Sequence, residues 1–340
     1  MEVPAGRNPC RDAINRVSTT AGKTACWILL FGGFKLILDS QEKRPADLAQ
    51  IPPDLPIVLA GPTGSGKSRL ALELAQRLNG ELICADSRQV YVGMTIGTAS
   101  PTRAQKRLVP HHGYNVQDPA RGYDVARFVQ EADRIVREVR ARGRLPILVG
   151  GTGLYLRVWR IGLDSAPDAD NALRARLRQE LLRHGPCWLH DRLRNIDPPT
   201  ARRIDPQDSV RVVRALEIHE RTGEKPSVVR PDWRVRPGRV RARWLLLRVG
   251  KEELNERIAR RAHWMVGEAL VEEACALRRR LGDSHPLTRT MGYEEALAWS
   301  DGRLSRQQAL ERVIIRHRQY AKRQRTWFNA EPWWAAERLC

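Results

Sequence analysis

The sequence predicts an α/β fold, in which helices flank a parallel β-sheet, together with a helical insertion domain. Two observations lead to this prediction. Short apolar runs alternate with amphipathic helical patterns through the first half of the chain, an order typical of a parallel sheet with helices on both faces. Beyond residue 164 the pattern changes to arginine-rich helical segments and a link rich in Pro and Gly, and one more apolar run follows at 244–249.

The elements of the first half are predicted from their periodicity. In order they are strand 56–60, helix 68–78, strand 81–85, helix 124–142 and strand 145–149. The two helical segments repeat apolar residues at helical spacing, and the strands are short apolar runs bounded by turn residues. Gly143 closes the second helix, and the last strand ends in Gly150 and Gly151. We therefore expect three parallel strands joined by crossover helices.

The change of pattern also predicts the domain organisation. The segments are residues 1–50, a poorly ordered extension; residues 51–164 and 239–340, the core; and residues 165–238, the helical insertion. The run at 244–249 is predicted to return to the sheet, and a helix at 303–328 to flank it.

The composition favours a polyanionic partner. The chain has 59 Lys and Arg against 39 Asp and Glu, a formal charge of +20, which suits contacts to the phosphates of a nucleic acid. A GC-rich genome with arginine as the default surface residue explains the same excess, so both interpretations stay open. The six cysteines show no zinc-ligand spacing, and the apolar stretch 26–38 is too short to cross a bilayer. We expect a cytoplasmic protein with no membrane contact.

A glycine-rich loop follows the first strand and is the strongest motif. Its residues are Gly61, Pro62, Thr63, Gly64, Ser65, Gly66, Lys67 and Ser68, which fit G-x-x-x-x-G-K-[ST] between a strand and a helix. The glycines let backbone N–H groups converge on phosphate oxygens, Lys67 adds positive charge, and the Ser68 hydroxyl suits Mg²⁺. The sheet is therefore predicted to be of the P-loop type.

The residues that follow the next two strands limit the reactions expected at this site. A nucleoside-triphosphatase usually has an apolar strand ending in Asp to position Mg²⁺, whereas strand 145–149 ends in glycines. Asp86 follows the second strand at the edge where ligands of open α/β sheets bind. It is a candidate to accept a proton from a nucleophile, and equally a candidate to cap a turn or helix.

Several blocks together resemble the tRNA dimethylallyltransferase family. They are GPTGSGKS (61–68), DSRQVYVGMTIGTASPT (86–102), PHHGYNVQDP (110–119), LVGGTGLY (148–155), DSVRVVRALEI (208–218), MVGEALVEEA (265–274), MGYEEAL (291–297) and RQYAKRQRTWF (318–328). Their order and approximate spacing match as well. The resemblance covers residues 55–328, and the absence of a CxxC finger after Phe328 suggests a bacterial-type member.

The resemblance implies an activity. Such enzymes transfer a dimethylallyl group from dimethylallyl diphosphate to the exocyclic amine of the adenosine 3′ of the anticodon, in tRNAs that read codons starting with U, and release diphosphate. The loop 61–68 would then hold the diphosphate with Mg²⁺ on Ser68, Lys67 and Ser68 would assist catalysis, and Asp86 would be the general base. The implied partner is the tRNA anticodon stem-loop, with no obligate protein partner for a monomeric enzyme.

Residues matching the family's tRNA contacts are carried over by position. They are Asp86, Ser87, Arg88, Gln89, Thr152, Arg174, Val210, Arg211, Val212, Val213 and Arg214. Two departures from the family pattern occur: His111–Asn115 reads HHGYN, where the family commonly has His-His-Leu before Ile-Asp, and 208–211 reads DSVR in place of DPQR. The first departure puts the local loop packing in doubt. The second departure puts a Gln contact to tRNA in doubt.

Other functions stay open at this point. A P-loop kinase acting on a small metabolite, a non-catalytic RNA-binding protein and a prenyltransferase of free adenylate all share part of the pattern. The His111–His112 pair has no third ligand at a suitable spacing, which favours hydrogen bonding over metal binding. The arginines and aromatics of 312–328 fit either RNA binding or a solvated helix face.

Overall fold

The computed structural model describes residues 14–16, 27–31, 34–38 and 55–331. The chain divides into two compact units, Met1–Arg160 with Val240–Cys340, and Ile161–Arg239. Among the described residues, no helix is both long enough and apolar enough to cross a membrane.

The first unit is built on one sheet with the strand order β1-β2-β3-β8-β4-β7-β5-β6. The strands are β1 Ile14–Arg16, β2 Trp27–Phe31, β3 Phe34–Leu38, β4 Ile57–Ala60, β5 Gly80–Cys84, β6 His111–His112, β7 Leu145–Gly150 and β8 Arg243–Leu247. From β8 to β6 all neighbours are parallel, and β1, β2 and β3 are added antiparallel beside β8. The predicted α/β fold with a parallel sheet is confirmed.

Part of the predicted poorly ordered extension thus contributes strands. The other residues before 55 lie outside the described residues, and for them that prediction stays a prediction.

The register of the sheet decides where the loops meet. Ala60 at the end of β4 pairs with Gly150 of β7, and Cys84 at the end of β5 pairs with Val149. The three strands therefore end at one edge, and the loops that follow them lie side by side there. This is the edge at which ligands bind in open α/β sheets.

The helices that accompany the sheet are α1 Lys67–Arg77, α2 Arg103–Leu108, α3 Val125–Ala141, α4 Gly153–Ile161, α10 Lys251–Met265, α11 Glu268–Leu281, α12 Tyr293–Ser300 and α13 Arg306–Ala330. Of these, α1 packs on one face of the sheet, and α3 and α4 pack on the other. Alternate residues of β4 face opposite sides, as a strand requires. Ile57 and Leu59 pack in the cluster that contains Leu70 of α1, whereas Val58 packs in the one that contains Phe128 of α3.

The last helix, α13, extends from a capping box to the sheet. Ser305 accepts a hydrogen bond from the N–H of Gln308, whose side chain accepts one from the N–H of Ser305. Phe328, near the other end, is buried in the same cluster as Val58. The 25-residue length of α13 brings the buried polar side chain of Gln324 to the loops at the carboxyl edge.

The second unit is a small helical bundle. Its helices are α5 Asn171–His184, α6 Pro186–Ile196, α7 Pro198–Arg203, α8 Ser209–Thr222 and α9 Pro226–Val229. Asp170 and Asp208 cap α5 and α8 through their side chains. The core is formed by the aliphatic residues Leu177, Leu189, Leu193, Val212 and Leu216.

A buried carboxylate joins α5 to α8 in this unit. The Glu217 side chain is fully buried and accepts hydrogen bonds from Arg214 at 2.6 Å, from the backbone N–H of Asp170 at 2.7 Å and from Arg174 at 3.0 Å. Burial alone raises the pKa of Glu217, but these hydrogen bonds outweigh it and hold the pKa below its ordinary value. The ionised carboxylate therefore stabilises the folded unit.

We predict that Glu217→Gln destabilises the second unit by about 3 kcal/mol, because it leaves two arginines beside a neutral group. The stabilisation is present above the ordinary glutamate pKa of 4.5 and is lost as the pH falls through the lower folded-state pKa. Hydrogen exchange of peptides from 161–239, at pH 7 and pH 4, measures both effects. Glu220→Gln, one turn later, breaks more exposed pairs and should cost under about 1 kcal/mol. Equal protection in the two variants would contradict the role given to Glu217.

Candidate functional site

The site is built at the carboxyl edge of the sheet by the loops that follow β4, β5 and β7. The loop after β4 is the glycine-rich segment 61–66. Gly64 and Gly66 have φ of +79° and +91°, the left-handed region in which a side chain is strained. A Cβ on Gly64 would also lie 2.8 Å from Cγ1 of Ile258 in α10. The loop thus needs these glycines for both its turn and its packing.

The loop closes on itself and leaves polar groups directed inward. The Ser65 N–H donates to the Pro62 carbonyl at 3.2 Å, and the Lys67 ammonium donates to the same carbonyl, also at 3.2 Å. The Ser65 hydroxyl is buried and has no hydrogen-bond partner among the described residues. Ser68, in the first turn of α1, is exposed. An N-terminal helical turn with these groups is suited to an anion.

Lys67 is partly buried, and the resulting desolvation disfavours its charged form. Burial lowers the pKa of Lys67 to about 8, although the nearby Asp86 carboxylate raises it; the neighbouring Arg261 lowers it further. An anion bound close by would favour the charged form and raise this pKa.

Arg261 of α10 is a second, partly buried cation beside the loop, and it was not among the predicted site residues. Its guanidinium donates to the Thr63 hydroxyl at 3.1 Å and to the Thr98 carbonyl at 3.3 Å. Its Nε is buried and has no partner in the part of the chain that the structure describes. Burial lowers the pKa of Arg261, and the Asp86 carboxylate opposes that shift. Arg257, one turn earlier, donates to the Ser65 carbonyl at 2.8 Å.

A sequence signal for these two arginines does exist. They lie four residues apart in α10, next to the buried Leu254, Ile258 and Ala262. Arginines adjoining the buried stripe of a helix face inward more often than arginines on its polar side.

Asp86 lies just after β5 and holds a turn with one of its oxygens. Its Oδ1 accepts hydrogen bonds from the backbone N–H of Arg88 at 2.8 Å and of Gln89 at 3.3 Å. Within the described residues, no hydrogen bond engages Oδ2. Turn capping and proton acceptance, the two alternatives left open by the sequence, therefore use different oxygens and are compatible.

The other predicted residues around Asp86 fix the neighbouring loops. The Thr152 hydroxyl accepts a hydrogen bond from the Ser87 N–H at 3.1 Å, which ties the loop after β7 to the loop after β5. The Gln89 amide donates to the carbonyls of Thr98 and Ala99, both at 3.0 Å. The structure thus brings Asp86, Ser87, Gln89 and Thr152 together at one edge.

The predicted residues of the second unit are of two kinds. Arg174 and Arg214 are paired with Glu217, which gives both a structural role in addition to any contact with RNA. Val212 and Val213 are buried in the core of the unit, so their side chains can only position α8. Val210 and Arg211, by contrast, are exposed; they are the members of 210–214 whose side chains face solvent most fully.

The histidine pair adjoins hydrogen-bonding partners. His112 Nε2 lies 2.6 Å from the buried Glu81 carboxylate, and His111 Nδ1 lies 2.8 Å from the Val109 carbonyl. No group of three or more His, Cys, Asp and Glu suited to a metal ion occurs among the described residues.

A cleft of about 70 Å³ with both polar and apolar side chains opens beside the phosphate loop. It is lined by Ser68, Ala71, Leu72, Leu82, Ala99, Pro101, Gln105, His111, Tyr114 and Val149. Leu72, Leu82 and Pro101 give part of this lining an apolar surface.

These features define the protein as a member of the P-loop-type α/β class, with a glycine-rich loop and a carboxylate at the carboxyl edge of its sheet. A family model described as IPP transferase matches residues 89–331. A tRNA dimethylallyltransferase from Anaeromyxobacter sp. (strain Fw109-5) is 47% identical over 275 residues, which are 81% of this chain and 91% of the relative. The chain belongs to the IPP transferase family, and the predicted resemblance is confirmed.

Two solved structures are also similar. The tRNA isopentenylpyrophosphate transferase from Bacillus halodurans is 36% identical, with a TM-score of 0.56 over 82% of this chain and 88% of that one. A eukaryotic dimethylallyltransferase acting on tRNA is 31% identical, with a TM-score of 0.68 over 80% of this chain and 69% of that one. Both likenesses support the P-loop-type fold.

We predict that the affinity of the protein for inorganic diphosphate falls as the pH rises through about 8, because Lys67 then loses its charge in the free protein. Lys67→Arg keeps a permanent charge, so its affinity should lack this component. Calorimetry from pH 7 to pH 9 measures the diphosphate affinity of the wild type and of the variant. Because diphosphate itself titrates in the same way in both experiments, the difference between the two pH profiles reports on Lys67. Parallel profiles would show that Lys67 does not hold the anion.

Proposed function

We propose that the protein transfers a dimethylallyl group from dimethylallyl diphosphate to the exocyclic amine of the adenosine 3′ of the anticodon, in tRNAs reading codons that start with U. The observation that carries the proposal is the meeting of a glycine-rich loop suited to an anion, two partly buried cations and a carboxylate at one edge of the sheet. Relatives named tRNA dimethylallyltransferase, and a similar eukaryotic dimethylallyltransferase acting on tRNA, support it.

On the donor side, the loop 61–68 holds the diphosphate. Lys67 and Arg261 have no carboxylate ion-pair partner among the described residues, and a diphosphate supplies the missing negative charge. These cations stabilise the charge that develops as the C1–O bond of the donor breaks. The apolar side chains of the cleft beside Ser68 offer contacts to the hydrocarbon part of the substrate.

The oxygen ligands available at the loop also fit Mg²⁺. The Ser68 hydroxyl is exposed at the start of α1 and would hold the metal together with phosphate oxygens and water, without a protein carboxylate cluster. When bound, the metal would neutralise part of the diphosphate charge. Ser68 would hold it, while the loop amides and Lys67 orient the phosphates.

On the acceptor side, Asp86 is the general base. The adenine amine is a weak nucleophile because its lone pair is delocalised into the ring. As the new C–N bond forms, Asp86 Oδ2 accepts the amine proton, while Oδ1 keeps the carboxylate fixed through the turn at Arg88 and Gln89. Ser87, Arg88, Gln89 and Thr152 surround the extruded base, and leaving the stack costs a few kcal/mol, which tRNA binding offsets.

The tRNA partner is supported by charge and by exposed residues. The formal charge of +20 favours phosphate contacts. Val210 and Arg211 at the start of α8 are available to the anticodon stem-loop, and Arg174 and Arg214 contribute charge while paired with Glu217. The second unit would therefore serve as a tRNA-binding insertion. We expect a monomer acting in the cytoplasm, where its substrate is found.

A P-loop kinase is the competing function. A kinase of this class needs an acidic residue that positions Mg²⁺ against a triphosphate. In this protein β7 ends in Gly150, and Gly151 follows it. That difference favours a diphosphate leaving group.

We predict that dimethylallyl diphosphate binds about tenfold or more tightly than ATP, a difference of about 1.4 kcal/mol. Calorimetry with Mg²⁺ and each ligand tests this preference, with inorganic diphosphate as the control that lacks the hydrocarbon. Tight ATP binding with turnover, and no binding of dimethylallyl diphosphate, would refute the proposed function.

We also predict that Asp86→Asn slows prenyl transfer by ~10²-fold or more, because Asn cannot take the amine proton. Asn retains the turn-capping oxygen, so the melting temperature and the affinity for dimethylallyl diphosphate should stay near those of the wild type. Single-turnover transfer to an anticodon stem-loop is the measurement. Asp118→Asn is the matched control, because Asp118 Oδ1 likewise accepts from the N–H two residues on. Transfer by Asp86→Asn at the wild-type rate would mean that Asp86 is not the base.

A further inference from the structure

Gln324 of α13 joins the two sides of the site through a single buried amide. Its Oε1 accepts a hydrogen bond from the Thr63 N–H at 2.8 Å, and its Nε2 donates to the Gly151 carbonyl, also at 2.8 Å. The side chain is 6% exposed. Both ends of the amide are therefore used, one on the phosphate loop and one on the loop after β7.

The glycines of the loop after β7 are matched to this contact. A Cβ on Gly151 would lie 2.3 Å from Gln324 Nε2, and a Cβ on Gly153 would lie 2.2 Å from the Trp327 ring. Trp327 is one turn beyond Gln324 on the same helix. Glycine at positions 151 and 153 therefore allows α13 to pack against this loop more closely than any larger residue would.

The two loops that Gln324 joins carry different reactants in the proposed reaction. Thr63 belongs to the diphosphate loop, and its hydroxyl is held by Arg261. Gly151 precedes Thr152, whose hydroxyl accepts from the Ser87 N–H beside Asp86. A chain of hydrogen bonds therefore runs from the donor loop through Gln324 to the loop that carries the base.

We propose that Gln324 is a positioning residue that sets the distance between the diphosphate loop and the Asp86 side of the site. The inference rests on the proposed function. The Thr63 N–H donates to Gln324, so it is not available to a ligand oxygen. The Gln324 amide therefore links the two loops directly. Its effect should fall on the rate of transfer, which depends on the relative placement of donor and acceptor, more than on the binding of either substrate alone.

The test compares Gln324→Met, which keeps the length of the side chain but removes both hydrogen bonds, with the wild type. We expect single-turnover transfer to a stem-loop to slow by about 10²-fold, the usual cost of a misplacement of about 1 Å. The dissociation constants of dimethylallyl diphosphate and of the stem-loop, measured separately by calorimetry, should stay close to those of the wild type. Gln319→Met, an exposed glutamine on the same helix, is the matched control and should transfer at the wild-type rate.

Gln324→Asn provides a second test should the Met variant fail to fold in a thermal melt. Asn keeps a polar amide in the buried position but is one methylene too short to span both loops, so we expect the same loss of rate. Wild-type transfer in the same assay establishes the reaction independently of Gln324. A folded Gln324 variant with the wild-type rate would overturn the positioning role alone. So would a fall in diphosphate affinity by the same factor as the rate, because Gln324 would then only support the shape of the phosphate loop.

Discussion

The site depends on an imbalance of partly buried charge. Lys67 and Arg261 both lie partly buried beside the glycine-rich loop, and the pKa of each is lowered by burial. Asp86 is the carboxylate that opposes both shifts, yet it forms no ion pair with either cation among the described residues. Desolvating charge without a partner is costly, so we expect an anion bound at this loop to stabilise the folded protein. In the proposed reaction the same imbalance would favour the departure of a diphosphate, since the cations are already in place when its charge develops.

Close packing of the backbone is the second requirement of the site. The glycines at the end of β7 and after it allow three approaches that side chains would block: a Cβ on Gly150 would lie 1.9 Å from the Ala85 carbonyl oxygen, and Gly151 and Gly153 make room for Gln324 and Trp327. These glycines stand where a nucleoside-triphosphatase usually has a metal-positioning Asp. They also leave the space in which the Gln324 amide links this loop to the phosphate loop.

The sequence predicted the parts of the site that are local in the chain. Residues 61–68 and Asp86 each follow a short apolar strand, and the pattern of strands places them at one edge. Arg261 and Gln324 were missed because they come from helices 198 and 261 residues away from Thr63, and only the tertiary fold joins them. Arg174 and Arg214 were predicted from family position as RNA contacts. No periodicity revealed that a buried Glu217, 43 residues from Arg174, pairs with both.

Mass spectrometry of tRNA nucleosides from a strain that lacks the gene tests the central claim most directly. If the protein prenylates the adenosine 3′ of the anticodon, isopentenyl adenosine should disappear from the digested tRNA of that strain. A plasmid carrying the wild-type gene should restore it. An unchanged level of isopentenyl adenosine in the deletion strain would contradict the account.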